Sequence, residues 1–462
     1  MIRASRFGVL LLLSVGCVPS APPVDLVDAG LGRGDAEPAD VSAAPDLGFG
    51  AADAEAMTDA GPTADASARI DAGTADAGTE ADSGVEADAG SDPDAGFAPD
   101  ARPARDAGPF MPNPRLAGLA DETALDLGRF ECTPVGGEDP DLCRRVTDYS
   151  GLVYDPRGHR LLLFGGGHST TMSDSIHAFD LGGALSWVDL YEPTPCSSMN
   201  DGNLDRPPGA WLSGAGGPFP RPVSTHTYDM LAVSPTADEF IIISRNFSGG
   251  YCNSSGNDIG GRFAHYDLGA GQWSFSPTAR GSGNYFGGTL PGTEVDPISR
   301  KIVILGGGGL QLYDPATKEL SEVWDRIATE GYANHLVYYP PDDKFYYFAR
   351  ETPVKVYSLA LDRADPSRSV VQLLATQGPT SLNGEPGYDY DSVNEVIGGG
   401  VQDGHFYTFD PRTLSWTEHP MNGGAVGSMA FHALAYDPVN NVFVFVTDYA
   451  SGQKTWAYRV RM

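Results

Sequence analysis

From Tyr149 onward the apolar positions fall in short runs separated by turns, and one pattern of runs recurs six times. Each copy holds a short apolar segment, a turn, a β-branched or aromatic run, often a glycine cluster, and then an aromatic-Asp turn followed by Trp. The first reads Gly151-Leu-Val-Tyr-Asp-Pro, Arg160-Leu-Leu-Leu-Phe-Gly-Gly-Gly and His177-Ala-Phe-Asp, and closes at Trp187. The second holds Phe240-Ile-Ile-Ile-Ser, Phe263-Ala-His-Tyr-Asp and Trp273; the third holds Val295-Asp-Pro, Lys301-Ile-Val-Ile-Leu-Gly and Leu312-Tyr-Asp-Pro, with Leu320 in place of Trp. The fourth is worn: Tyr339-Pro-Pro-Asp-Asp, Lys344-Phe-Tyr-Tyr-Phe and Val356-Tyr-Ser-Leu. The fifth restores the pattern with Tyr390-Asp-Ser, Val396-Ile-Gly-Gly-Gly, Phe409-Asp-Pro and Trp416. The sixth has Tyr436-Asp-Pro, Val442-Phe-Val-Phe-Val and Trp456-Ala-Tyr-Arg-Val.

Short runs rich in β-branched and aromatic residues, bounded by Asp-Pro and Gly turns, predict antiparallel hairpins. Each copy therefore reads as a four-stranded meander. A single such sheet cannot bury both of its faces, so the copies must stack side by side and close into a ring. The sixth copy ends at its third strand, and Ala124-Leu-Asp-Leu-Gly-Arg-Phe-Glu-Cys supplies the missing outer strand, which removes an exposed sheet edge. The expectation is an all-β, six-bladed propeller over residues 109–462, with seven blades as the runner-up if 110–148 hold more structure. One local conflict stands: Leu320, Val323, Trp324 and Ile327, ended by Gly331, fit a helical period, whereas the repeat register asks for a strand at the start of that segment.

The double glycine after the second strand, the aromatic of the third and the Trp of the fourth resemble the kelch repeat, over about residues 149–462. The resemblance implies a kelch-like β-propeller similar to the central domain of galactose oxidase.

The first hundred residues follow another logic. Arg3 and Arg6 precede the apolar run 7–15, which is too short to cross a bilayer and reads as a signal peptide. Leu-Ser-Val-Gly-Cys, ending at Cys17, resembles the lipobox of bacterial lipoproteins. That resemblance implies removal of residues 1–16, lipidation of Cys17 and, with Val18 following, an outer-membrane address that includes the cell surface. An ordinary secretory signal cleaved nearby is the alternative. Residues 17–108 are dominated by Ala, Asp, Gly and Pro, with Asp-Ala-Gly at 71–73, 76–78, 88–90, 94–96 and 106–108. Asp25 to Gly108 carries 20 acids and 4 bases. A segment this polar cannot offset its ordering entropy and is expected to be a disordered tether, spanning roughly 50 Å as a flexible coil.

The whole chain has 462 residues and a net charge of −31, which excludes the basic face that nucleic acid requires. Membrane contact is expected through the lipid alone. Five cysteines is an odd number for an exported chain. Lipidation of Cys17 leaves Cys132, Cys143, Cys196 and Cys252 for two disulfides, and the favoured pairing is Cys132–Cys143 with Cys196–Cys252.

Candidate chemistry is sparse. The glycine clusters at 165–167, 306–309 and 398–400 precede strands and turns rather than helices, so they are not phosphate cradles. No nucleophile elbow, zinc-protease helix or P-loop occurs, and Asp389-x-Asp391-x-x-Asn394-Glu395 reads as turn chemistry in preference to a calcium loop. The suggestive feature is the placement of polar residues at or near the starts of the first strands, which line the axial channel. His226, His335 and His432 stand there, with Asp148, Tyr149, Asn284, Tyr285, Asn334 and Glu385 at comparable points in the other copies and His168 after the first glycine cluster. These ten residues are the candidate ligand site. No cofactor is expected, although two histidines with a tyrosine or carboxylate are also the donor set of a transition metal. The favoured function is a monomeric, non-catalytic, surface-tethered module that binds a glycan or an envelope or extracellular protein through loops on one propeller face. An extracytoplasmic enzyme, copper oxidase-like or carbohydrate-active, is the alternative.

Overall fold

The computed structural model describes residues 110–136, 140–166, 171–205, 209–243, 262–277, 291–306, 309–324, 334–351, 353–378, 382, 387–448 and 450–461. The expected signal peptide and tether, the insert from Asn246 to Gly261 and Cys252 all lie outside them.

Six four-stranded antiparallel sheets and one three-stranded sheet account for the strands. In chain order the first sheet is Val153–Asp155, Arg160–Leu163, His177–Asp180 and Trp187–Asp189; the second is Leu231–Val233, Glu239–Ile242, Ala264–Asp267 and Gln272–Phe275. The third is Gly292–Val295, Ile302–Gly306, Gly309–Asp314 and Glu319–Glu322; the fourth is His335–Tyr339, Lys344–Ala349, Lys355–Ala360 and Val370–Leu373. The fifth is Tyr388–Asp391, Val396–Gln402, His405–Asp410 and Ser415–Pro420. The sixth comprises Met429–Asp437, Val442–Thr447 and Lys454–Arg459, with Thr123–Arg129 paired outside them. The first strands touch one another in cyclic order, the sixth returning to the first. The architecture is a β-propeller.

The turns obey the Asp rule that the sequence suggests. In the first hairpins of four sheets, Asp155, Asp296, Asp391 and Asp437 are buried, and each accepts the backbone N–H two residues on at 2.9–3.2 Å. Asp180, Asp267, Asp314 and Asp410 do the same in the hairpins that join third to fourth strands, from half-buried or exposed positions. A carboxylate that satisfies its own turn leaves little for an ion, which explains the calcium-like spacing at Asp389–Glu395.

Packing is between sheets. Six apolar clusters each join two neighbours, from the first and second sheets round to the sixth and first. Within sheets the third-strand aromatic meets the fourth-strand Trp, as in Tyr266–Trp273 and Phe409–Trp416, both with centroids 5.1 Å apart. In the third sheet Leu320 takes the Trp place, opposite Tyr313. Gly398 has a packing reason: a Cβ there would meet the Phe443 ring of the next sheet at 2.4 Å. Burying an aromatic of that size is worth about 1.5–3 kcal/mol, so the missing side chain favours the interface.

The end-to-end closure is as expected. Thr123 pairs with Arg459 and Arg129 with Lys454, with one register shift between Asp126 and Gly128. Arg459 then clasps the seam: its guanidinium donates to the carbonyls of Leu116, Ala117, Leu119, Asn440 and Asn441 at 2.7–3.1 Å. Cys132 and Cys143 form a disulfide just beyond the closing strand. Cys196 is disulfide-bonded as well.

Two expectations need adjustment. The additional sheet comes from Leu204–Asp205, Ala210–Trp211 and Arg221–Pro222, an insert between the first and second sheets built around Trp211, and not from 110–148. In the ambiguous segment the strand prevails over Glu319–Glu322, and Val323 and Trp324 continue without helix because their N–H groups donate to the Leu310 carbonyl in the strand alongside.

Candidate functional site

The first strands surround a cavity of about 680 Å³. Its wall includes turn residues of the first hairpins, among them Pro156, Arg157, Pro297 and Arg300, and the strand-start residues Asp229 and His335. Three carboxylates, Asp229, Glu294 and Asp389, share this wall with Tyr154 and Tyr388, whose rings are buried between sheets, that of Tyr388 stacked on Phe348 with centroids 4.1 Å apart.

The sequence rules place the central residues. His335 opens the first strand of the fourth sheet and pairs with Phe348. His432 lies in the first strand of the sixth sheet, between Met429 and Leu434, where the pairing shifts register. Such irregularities re-aim side chains, and this one directs His432 at His335. The neighbouring strand can come close only because residue 387 is glycine: a Cβ there would sit 3.0 Å from the backbone of His432. Asp229 stands two residues before Leu231–Val233, after Tyr228, whose φ is +44°.

These three side chains converge. His335 Nδ1 lies 2.8 Å from Asp229 Oδ1 and 3.1 Å from His432 Nδ1. The two imidazoles are stacked, with centroids 5.3 Å apart and planes 14° from parallel. The other carboxylate oxygen of Asp229 accepts the backbone N–H groups of Thr293 at 2.8 Å and Leu336 at 3.0 Å, and Thr293 Oγ1 donates to the Asp229 carbonyl. One aspartate thereby ties the second, third and fourth sheets together at the axis. His432 is completely buried, and its Nε2 has no hydrogen-bond partner among the described residues.

Burial and charge set the protonation. Burial pushes the Asp229 carboxyl up, against the opposing charge and hydrogen bond of His335 and the two backbone N–H groups. Burial alone lowers the His335 imidazole, but the charge and hydrogen bond of Asp229 outweigh it and leave the ring above its ordinary value. His432 is driven well below its ordinary value by burial, by the charge of His335 and by Arg350. Asp229 thus favours the protonated form of His335, and burial with the neighbouring charges favours a neutral His432.

The other candidate residues divide by position. His226 is buried and reaches His432 through Tyr228, with ring centroids 5.7 Å and then 5.9 Å apart. Asn334 is buried and its Oδ1 accepts the N–H of Arg350 at 3.1 Å, a structural bond beside the site. Asp148 and Tyr149 end a short 3-10 turn, Arg145–Tyr149, and their side chains are not described. His168, Asn284, Tyr285 and Glu385 lie outside the described residues. Sequence reasoning missed Asp229. The available signal was its position: an acid three residues after His226, at the start of the same copy, where no hairpin turn needs it.

No protein-family model and no curated protein matches the sequence. Several solved structures share its outline at low identity. A Bacteroides thetaiotaomicron VPI-5482 protein of unknown function is 13% identical, over 73% of this chain and 76% of its own, with a TM-score of 0.43. A fungal alcohol oxidase of the AA5 family, in complex with copper, is 12% identical over 68% of this chain and 62% of its own, with a TM-score of 0.39. Regucalcin from Agrobacterium tumefaciens, a calcium-binding protein, is 11% identical over 74% of this chain and 98% of its own, also with a TM-score of 0.39. At these levels the likeness concerns the fold alone.

Proposed function

We propose that this chain is a monomeric lipoprotein of the bacterial outer membrane whose six-bladed, kelch-type propeller takes a small hydroxyl-rich ligand, a glycan fragment, into its axial cavity. The observation that carries this reading is the cavity itself. Its volume of about 680 Å³ falls within the range of small-molecule sites, roughly 300–1,000 Å³. Carboxylates are pure acceptors for hydroxyl donors. Three acids on one wall therefore suit a hydroxyl-rich small ligand better than an extended protein surface. The cyclic contact of six first strands supports the blade count. The cysteine count supports the anchor: with Cys132, Cys143 and Cys196 in disulfides, pairing of Cys252 with Cys196 leaves Cys17 for lipid. The tether over 17–108 then holds the propeller off the membrane.

The test uses the full-length protein extracted in detergent. Intact mass should show a chain that begins at a lipid-bearing Cys17, and a soluble oligosaccharide panel should yield saturable binding. An unlipidated start elsewhere removes the anchor. Binding confined to envelope proteins, with no saccharide retained, removes the cavity reading.

One observation favours the enzyme as a second reading. A neutral His432 sits 3.1 Å from a His335 whose protonated form Asp229 favours, which is the arrangement of a base beside an acid. Turnover of a bound saccharide, lost in His432→Gln, would move the chain to that class.

A further inference from the structure

We propose that Asp229, His335 and His432 form a three-ligand site for a divalent first-row transition-metal ion that prefers six-coordination, with its remaining positions open to the axial cavity. The inference deepens the cavity reading above, because it names what the inner wall holds.

The donor set is two imidazoles and one carboxylate, whose ligand atoms lie within 4.8 Å of one another. Bond lengths near 2.1 Å put adjacent ligand atoms about 3.0 Å apart in an octahedron and about 3.4 Å apart in a tetrahedron. The two edges measured here, 2.8 Å from His335 Nδ1 to Asp229 Oδ1 and 3.1 Å from His335 Nδ1 to His432 Nδ1, have the octahedral length. Two histidines and one carboxylate, with further positions left for substrate or water, are a donor set for such ions.

The orientation of the two rings adds to those distances. His432 Nδ1 faces the Nδ1 of the other imidazole at 3.1 Å within a buried cluster. Two imidazoles aimed at each other through their Nδ1 atoms can share only one proton between them. A metal ion engages both lone pairs and the carboxylate together. The backbone N–H groups of Thr293 and Leu336 hold the far oxygen of Asp229, which fixes the near oxygen toward the histidines as an outer shell does for a metal-bound carboxylate. Glu294 and Asp389 also line the cavity, and both raise the His335 imidazole by their charge, while Arg157 and Arg300 stand on its wall as well.

The experiment takes full-length protein stripped with chelator and titrates Co²⁺, Zn²⁺ and Mn²⁺ by calorimetry, with Co²⁺ also followed by visible absorption. The expected result is one ion per chain and the weak absorption of six-coordinate Co²⁺. His432→Ala should lower affinity by at least the roughly 10–100-fold that loss of an outer-shell partner costs. His432→Asp, which keeps a ligand at that position, should recover much of it, while circular dichroism verifies the fold of both. Absence of saturable binding in folded protein overturns the proposal, leaving the triad as a hydrogen-bonded cluster. Binding unchanged in His432→Ala overturns it too, and an intense tetrahedral Co²⁺ spectrum overturns the six-coordinate geometry. The outcome is separable from the cavity reading: metal bound with no saccharide retained sinks only the glycan, and saccharide bound to metal-free protein sinks only the metal.

Discussion

The Nδ1 atoms of His335 and His432 face each other at 3.1 Å although 97 positions separate them in the chain. Only closure of the ring brings them together, since one belongs to the fourth sheet and the other to the sixth, with the fifth between them. The site is therefore a property of the whole propeller, and its integrity can be probed from a distance.

The most direct probe is Gly387. Its replacement by Ala puts a methyl group 3.0 Å from the His432 backbone, which cannot withdraw as a flexible side chain could. Overpacking of this kind costs about 1–3 kcal/mol. Gly387→Ala should lower the melting temperature and weaken ligand or metal binding together, measured by calorimetry on the same sample. A variant that melts as wild type would show that the strands have slack at the axis.

How much of this was legible in the sequence follows from what each feature depends on. The meander, the Asp turns and the Thr123–Arg129 closing strand rest on local chemistry and on the need to cover an edge, so they could be read directly. His335 and His432 could be named because repeat register places both near the starts of first strands. Their mutual contact could not, because it depends on the register shift between Met429 and Leu434. Asp229 was hidden for a different reason: Tyr228-Asp229 has the look of one more aromatic-Asp turn. The insert sheet around Trp211 carries no repeat signal, and its short strands sit among Gly and Pro.

One arginine carries much of the side-chain bonding at the ring closure, beside the Lys454–Asp126 pair. Arg459 donates to five carbonyls, three of them across the seam on Leu116, Ala117 and Leu119 and two, Asn440 and Asn441, in its own sheet. Arg459→Met keeps the apolar stem and removes the donors, leaving those carbonyls under-satisfied. Charged hydrogen bonds of this kind are worth about 1.5–3 kcal/mol in total loss when one partner disappears. Denaturant unfolding should show a lower midpoint. Hydrogen exchange should rise first in Thr123–Arg129 and Lys454–Arg459, and uniform exchange across the domain would contradict the clasp.

Acid should loosen the first sheet through Asp189. Its carboxyl is raised by burial, but the hydrogen bond and charge of His177, 2.5 Å away, and the N–H of Thr133 outweigh that and leave it below its ordinary value. A carboxyl depressed in the folded state stabilises fully above its unfolded value near 3.9, and that contribution disappears as pH falls through the folded value. Asp189→Asn should accordingly be less stable than wild type at pH 7, with the gap closing below about pH 4. Equal stability of the two proteins at pH 7 would rule out the pairing as a stabilising contact.

The central claim is that recognition happens inside the axial cavity and not on the loops of a propeller face. Glu294 lines that cavity, half-buried, with Oε1 accepting the N–H of Val295. Glu294→Trp fills space beside His335 and leaves every face loop untouched. The decisive measurement is saccharide binding by full-length wild type and Glu294→Trp side by side, with melting temperature as the control. The account predicts binding by wild type and at least a tenfold loss in the variant at similar stability. Undiminished binding by Glu294→Trp would place the ligand on the outer loops and contradict the account.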